Sequence, residues 1–78
     1  MAGVKILTKQ VREEDTCKIE ITGKGPVDVT ISISGKIVKK ITVKAPAILS
    51  VTLPPDSGGY TLRVSVPGDF DTAFILAR

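Results

Sequence analysis

Hydrophobic and polar residues alternate along most of this chain. Cys17, Ile19 and Ile21 are interleaved with Lys18, Glu20 and Thr22. Val27, Val29, Ile31 and Ile33 are interleaved with Asp28, Thr30, Ser32 and Ser34. Ala47, Leu49, Val51 and Leu53 share one face of a further segment, and Tyr60, Leu62, Val64 and Val66 share one face of another. A period of two predicts strands with one side buried and the other in water. Less regular apolar runs at 4–11, 36–44 and 70–77 bring the expected strands to seven.

Turn signals fall between these segments. "GKGP" (23–26) separates the second and third strands, and "SGK" (34–36) predicts a tight hairpin. "KAP" (44–46) and "PPDSGG" (54–59) flank the fifth strand, and "PGD" (67–69) joins the sixth to the seventh. "QVREEDT" (10–16) has no apolar stripe to hold a helix. There is no repeat, low-complexity run or linker. The expectation is one all-β domain over residues 1–78, built as a seven-stranded antiparallel sandwich or a small barrel.

Composition narrows what holds such a domain together. A chain of 78 residues buries only about 60% of its unfolded surface, so small domains usually need a staple. One cysteine cannot close an internal disulfide, and with no histidine the common zinc frameworks are missing. Packing, or burial against a partner, is left to stabilise the fold. The net charge of +3 is uneven: residues 1–50 hold nine Lys/Arg against five Asp/Glu, residues 51–78 two against three. No run approaches the length of a membrane span. "MAGVKILTKQVREED" lacks the long apolar region and cleavage site of a signal peptide.

The lone tyrosine carries a resemblance. It follows a Gly-rich corner in Asp56-Ser57-Gly58-Gly59-Tyr60-Thr61-Leu62. This is similar to the tyrosine corner of immunoglobulin-like sandwiches, in which a Tyr lies two residues before the second disulfide cysteine. Leu62 stands in that cysteine's place, and Cys17 resembles the first cysteine. The core tryptophan is absent, with Ile31 in its region. "LPPDSGGYTLRVSVPGDF" (53–70) also resembles the signature of transthyretin-like and carboxypeptidase-regulatory modules, which are non-catalytic. Both resemblances imply a Greek-key immunoglobulin-like sandwich, with Asp56, Gly58 and Tyr60 as structural corner residues and Tyr60 facing inward. Neither implies an active site.

Candidate chemistry is sparse. Cys17 has no histidine to activate it and is expected inward, where a thiol's reactivity falls. "EED" (13–15) is expected in a solvated loop. "DFD" (69–71) resembles half of a calcium loop, which Asp28 or Asp56 would have to complete; the plainer expectation is a turn residue followed by a strand start. "GKGPVD" (23–28) lacks the third glycine and following helix of a phosphate loop. Neither a catalytic group, a metal site nor a cofactor is expected.

Two surfaces remain. Lys36, Lys39, Lys40 and Lys44 form a basic edge without an acid among them. Lysine, including the apolar-side Lys39, protects an edge strand from unwanted pairing. Basic sheet faces also bind nucleic acid, but single-strand binders need aromatic platforms. The last strand is apolar on both faces, so Thr72, Ala73, Phe74, Ile75 and Leu76 are expected to form a partner-facing edge, the alternative being a central strand or one whose small Ala73 and Ala77 expose little surface. The functional expectation is a structural or protein-binding sandwich assembling with itself or a larger scaffold, as virion decoration, surface filament or accessory module. A small basic barrel binding single-stranded nucleic acid is the rival, and a designed scaffold is a third possibility.

Overall fold

Two long strands carry the fold. The computed structural model describes residues 2–77. Strand β3 (Thr16–Ile33) and strand β4 (Lys36–Thr52) form one antiparallel hairpin. They turn at Ser34 and Gly35, whose φ angles of 55° and 79° suit the two-residue turn that matches strand twist. β1 (Gly3–Ile6) pairs antiparallel with the first half of β3, and β5 (Thr61–Val66) with its last residues. β6 (Asp69–Leu76) pairs with β5 across the Pro67-Gly68 turn. The two-residue β2 (Val11–Arg12) lies parallel to the end of β6.

The all-β class is as the alternation predicts, with no helix among the described residues. The architecture is six strands in one curled, mixed sheet, a half-barrel, where seven antiparallel strands were expected. The difference lies at "GKGP" and "KAP". Neither reverses the chain; each sits inside a continuous strand. The register shifts between Ile21 and Gly25, and Gly23 and Gly25 adopt φ angles of 128° and 76°. Glycine thus admits a bulge that bends β3 without ending it. The second and third expected strands merge into β3, the fourth and fifth into β4. The expected first strand, by contrast, splits into β1 and β2.

The bulge keeps the faces in phase. Cys17, Ile19 and Ile21 before it, and Val27, Val29, Ile31 and Ile33 after it, all point into the concavity and are buried. Leu62, Val64 and Val66 of β5, Ile75 of β6, and Val4, Val11, Ala45 and Leu53 complete the core. Each buried Val, Leu or Ile contributes roughly 1.5–3 kcal/mol relative to exposure. The core contains no aromatic ring.

Side chains close what the ladders leave open. β1 and β6 form no ladder, yet Val4 N–H donates to Asp69 Oδ2 (3.0 Å) and Ile6 N–H to Asp71 Oδ2 (2.8 Å). Two carboxylates spaced by two on β6 therefore meet two amides spaced by two on β1. The 13–15 segment closes the other side: Glu13 N–H donates to the Leu76 carbonyl, Glu14 N–H to that of Leu53, and Leu53 N–H to that of Asp15. Thus "EED", expected as a solvated loop, ties the end of β6 to the exit of β4.

Candidate binding surfaces

The residues with chemical potential are dispersed. Asp69 and Asp71 are turned to β1, and Asp28 accepts from the Thr42 hydroxyl (2.8 Å). Among the described residues no three His, Cys, Asp or Glu side chains gather to hold a metal. Cys17 is buried, and desolvation raises its thiol pKa above the ordinary value, against a smaller lowering by Thr8. A concavity of about 780 Å³ opens between the β3 bulge and Pro67 and brings one cation, Lys24, to one carboxylate, Asp28.

The corner differs from expectation at its tyrosine. Tyr60 is 49% exposed and does not fill the core. Gly59 N–H donates to the Ile75 carbonyl, and Ile75 N–H to that of Tyr60. Two residues thus oppose one, a bulge that carries Tyr60 to the open end of the concavity. There its ring lines a cleft of about 540 Å³ with Ile33, Val38, Pro54 and Pro55. The turn is closed instead by Ser57, which is buried and donates from Oγ to the Pro54 carbonyl (2.7 Å). Asp56 takes a φ of 66°, and Gly58 is pressed against the chain's end: a Cβ there would lie 2.6 Å from Ala77 Cα. The sequence signal for Ser57 was its place in a Pro-Pro-Asp-Ser turn, where a hydroxyl serves backbone.

Among the described residues β3 is the one ladder partner of strand β4, which is thus an edge strand along its length. Lys36, Lys39, Lys40 and Lys44 are all exposed on its first half. Lys39 sits opposite the buried Ile31 and therefore shares the core face, beyond the core's end. One residue later the register slips: Ser32 pairs with Ile37, and Val38 is left unmatched. A one-residue slip reverses facing, so Ile37 turns to the outer surface, where it is 58% exposed. Lysines and a bulge are two devices that discourage pairing at an edge. The second half differs. Residues 45–52 hold no charged side chain, and Ile48 is 63% exposed.

The last strand is not an edge. Ile75 is fully buried, Ala73 and Leu76 are half-buried, and Thr72 and Phe74 are exposed. β5 flanks β6 on one side, while β2 and the β1 amides occupy the other. What β6 offers is therefore a face. Cross-strand partners share a face, so the register defines rows running from β6 through β5 and β3 to β4. One row is Phe70, Ser65, Thr30 and Lys40; the next is Thr72, Arg63, Ser32 and Ile37. Phe74 lies opposite Thr61 at the end of this surface. The Arg63 guanidinium stands 4.2 Å from the Phe70 ring centroid. Phe70 and Phe74 are 54% and 60% exposed, so with Tyr60 all three aromatics of the chain are at the surface.

Comparison with protein-family models, curated proteins and solved structures returns no match.

Proposed function

We propose that this chain is a non-catalytic structural domain that assembles with a second copy of itself by strand pairing along residues 45–52 of β4. The observation that supports this reading is the contrast within one edge. Four lysines and a bulge blunt the first half, while the second half carries an uncharged, β-branched run with Ile48 in water. Beyond Pro46, residues 47–52 carry no such guard, and an unguarded edge is a template for another strand. A second copy suits it: antiparallel self-pairing of "AILSVT" sets no like charges opposite one another. Such a unit belongs to repeating assemblies, for which a virion coat or surface filament is a natural setting. Kinship with small immunoglobulin-like sandwiches is part of this reading; the inward Cys17 and the Gly-rich corner before β5 support it, and the merged β3 and β4 depart from it.

Sedimentation equilibrium over a wide concentration range tests the reading. The wild type is expected to populate a dimer, and Ile48→Lys to be monomeric while keeping the wild-type far-UV circular dichroism spectrum, because position 48 is already exposed. A wild-type chain that stays monomeric at every concentration would overturn it.

A further inference from the structure

We infer that the outer face of β3, β4, β5 and β6 is a binding platform for single-stranded nucleic acid, with Phe70 and Phe74 stacking against bases and Arg63, Lys40 and Lys44 meeting phosphates. This goes beyond assembly: the platform is the outer face of the sheet, whereas self-pairing uses the backbone edge of β4 at 45–52.

The first argument is the placement of the rings. A β-strand sends alternate residues to one side, so Phe70, Thr72 and Phe74 all stand on the outer face. The two rings lie about 13 Å apart along β6, with a threonine rather than an apolar residue between them. A protein interface would favour a continuous apolar core depleted of charge. Here each ring is set among hydroxyls: Thr61, Ser65, Thr72, Thr30 and Ser32 fill the rows around them. Separated rings on a polar sheet suit bases splayed from a flexible strand, because every base has a π-face to stack.

The second argument is charge. The outer face carries Arg63, Lys40 and the exposed Lys44, which lies opposite Pro26. Its carboxylates are Asp28, already engaged by Thr42, and Glu20, which lies opposite Ile48 on the far side of the β3 bulge. Asp69 and Asp71 pair with Val66 and Val64 and so belong to the opposite face, where β1 amides hold them. The acids of β6 are thereby kept away from the platform. The row from Phe70 to Lys40 spans about 14 Å, from an aromatic end to a cationic end. A strand lying across it can place bases on β6 and its backbone toward β4. Arg63 beside Phe70 fits the same chemistry, since a guanidinium stacks on bases and pairs with phosphate.

The test is fluorescence anisotropy of labelled oligothymidylate and oligouridylate, with a duplex and poly-glutamate as comparators. Single strands are expected to bind in preference to both. With three cations in contact, the slope of log K against log salt is expected near −2 (roughly −0.7 per contact). Phe74→Ala and Phe70→Ala are each expected to weaken binding between about fivefold and a hundredfold. Arg63→Gln is expected to weaken binding and make the salt slope shallower. All three positions are exposed, so far-UV melting should match the wild type. Absence of binding at low salt would overturn the proposal. So would equal affinity for the duplex with no response to Phe74→Ala, which is plain polyelectrolyte attraction. If Phe74→Ala changes the oligomeric state and leaves oligonucleotide affinity intact, the face is a protein contact and the proposal falls. Ile48→Asn separates the two readings: it weakens self-pairing without adding a charge to the outer face that position 48 shares with Lys40 and Lys44.

Discussion

Cys17 shows how a single burial couples to pH. Its thiol is desolvated, so the folded chain keeps the proton to a higher pH than the unfolded chain does. Below the ordinary thiol value of 9.0 both states are protonated and the group contributes nothing to pH dependence. Above it the unfolded state loses its proton first, so stability falls as pH rises toward the folded-state value. Urea denaturation of wild type and Cys17→Ala across this window checks the sign: the wild type should lose stability more steeply. Cys17 was legible in the sequence because its neighbours alternate cleanly, and Leu62, Val64 and Val66 were legible for the same reason. Tyr60 has the parity of those three and still ends outside. Alternation specifies a side of the sheet; it does not specify where along the strand the core stops.

At the scale of elements, the sequence marked bends and turns with the same residues. "SGK" and "PGD" reverse the chain, whereas "GKGP" only bends it, although all three contain glycine. What distinguishes them is the partner. β3 continues through Gly23 and Gly25 because β4 runs beside it on both sides of the bulge, a long-range fact no short window contains. The role of "DFD" was hidden likewise, since its acceptors serve amides 65 residues away. β1 is a four-residue strand, so these carboxylates hold much of its free edge. Asp71→Ala should cost about 1–3 kcal/mol by stripping the Ile6 amide of its acceptor. Amide exchange at Ile6 should quicken more than at Ile31; unchanged protection at Ile6 would show that β1 is seated by packing alone.

The whole molecule has an inverted distribution of ring and chain. Its core is made from Val, Ile, Leu, Ala and one Cys, and its aromatics are outside. Full burial of a Phe contributes roughly 1.5–3 kcal/mol, and rings left 54% and 60% exposed forgo a good part of it, a large share for a small domain. Two such rings on one face are the clearest departure from a sequence optimised for folding alone. Departures of that kind concentrate where a protein works. The lysine edge was visible in the sequence as composition. The aromatic platform was not, because its rows are drawn from four strands that only the topology brings side by side.

The aliphatic interior has a consequence for how the protein is watched. With no tryptophan and its one tyrosine in water, its ultraviolet reporters sit outside. Tyrosine emission should therefore change little on unfolding, while far-UV circular dichroism records the full transition. A steep tyrosine transition coincident with the dichroism would show the Tyr60 ring enclosed in solution. The interior is instead visible through methyl resonances, which nearly every core residue supplies. Ligand titrations and denaturation can thus be followed in one sample without crosstalk, rings reporting contact and methyls reporting integrity.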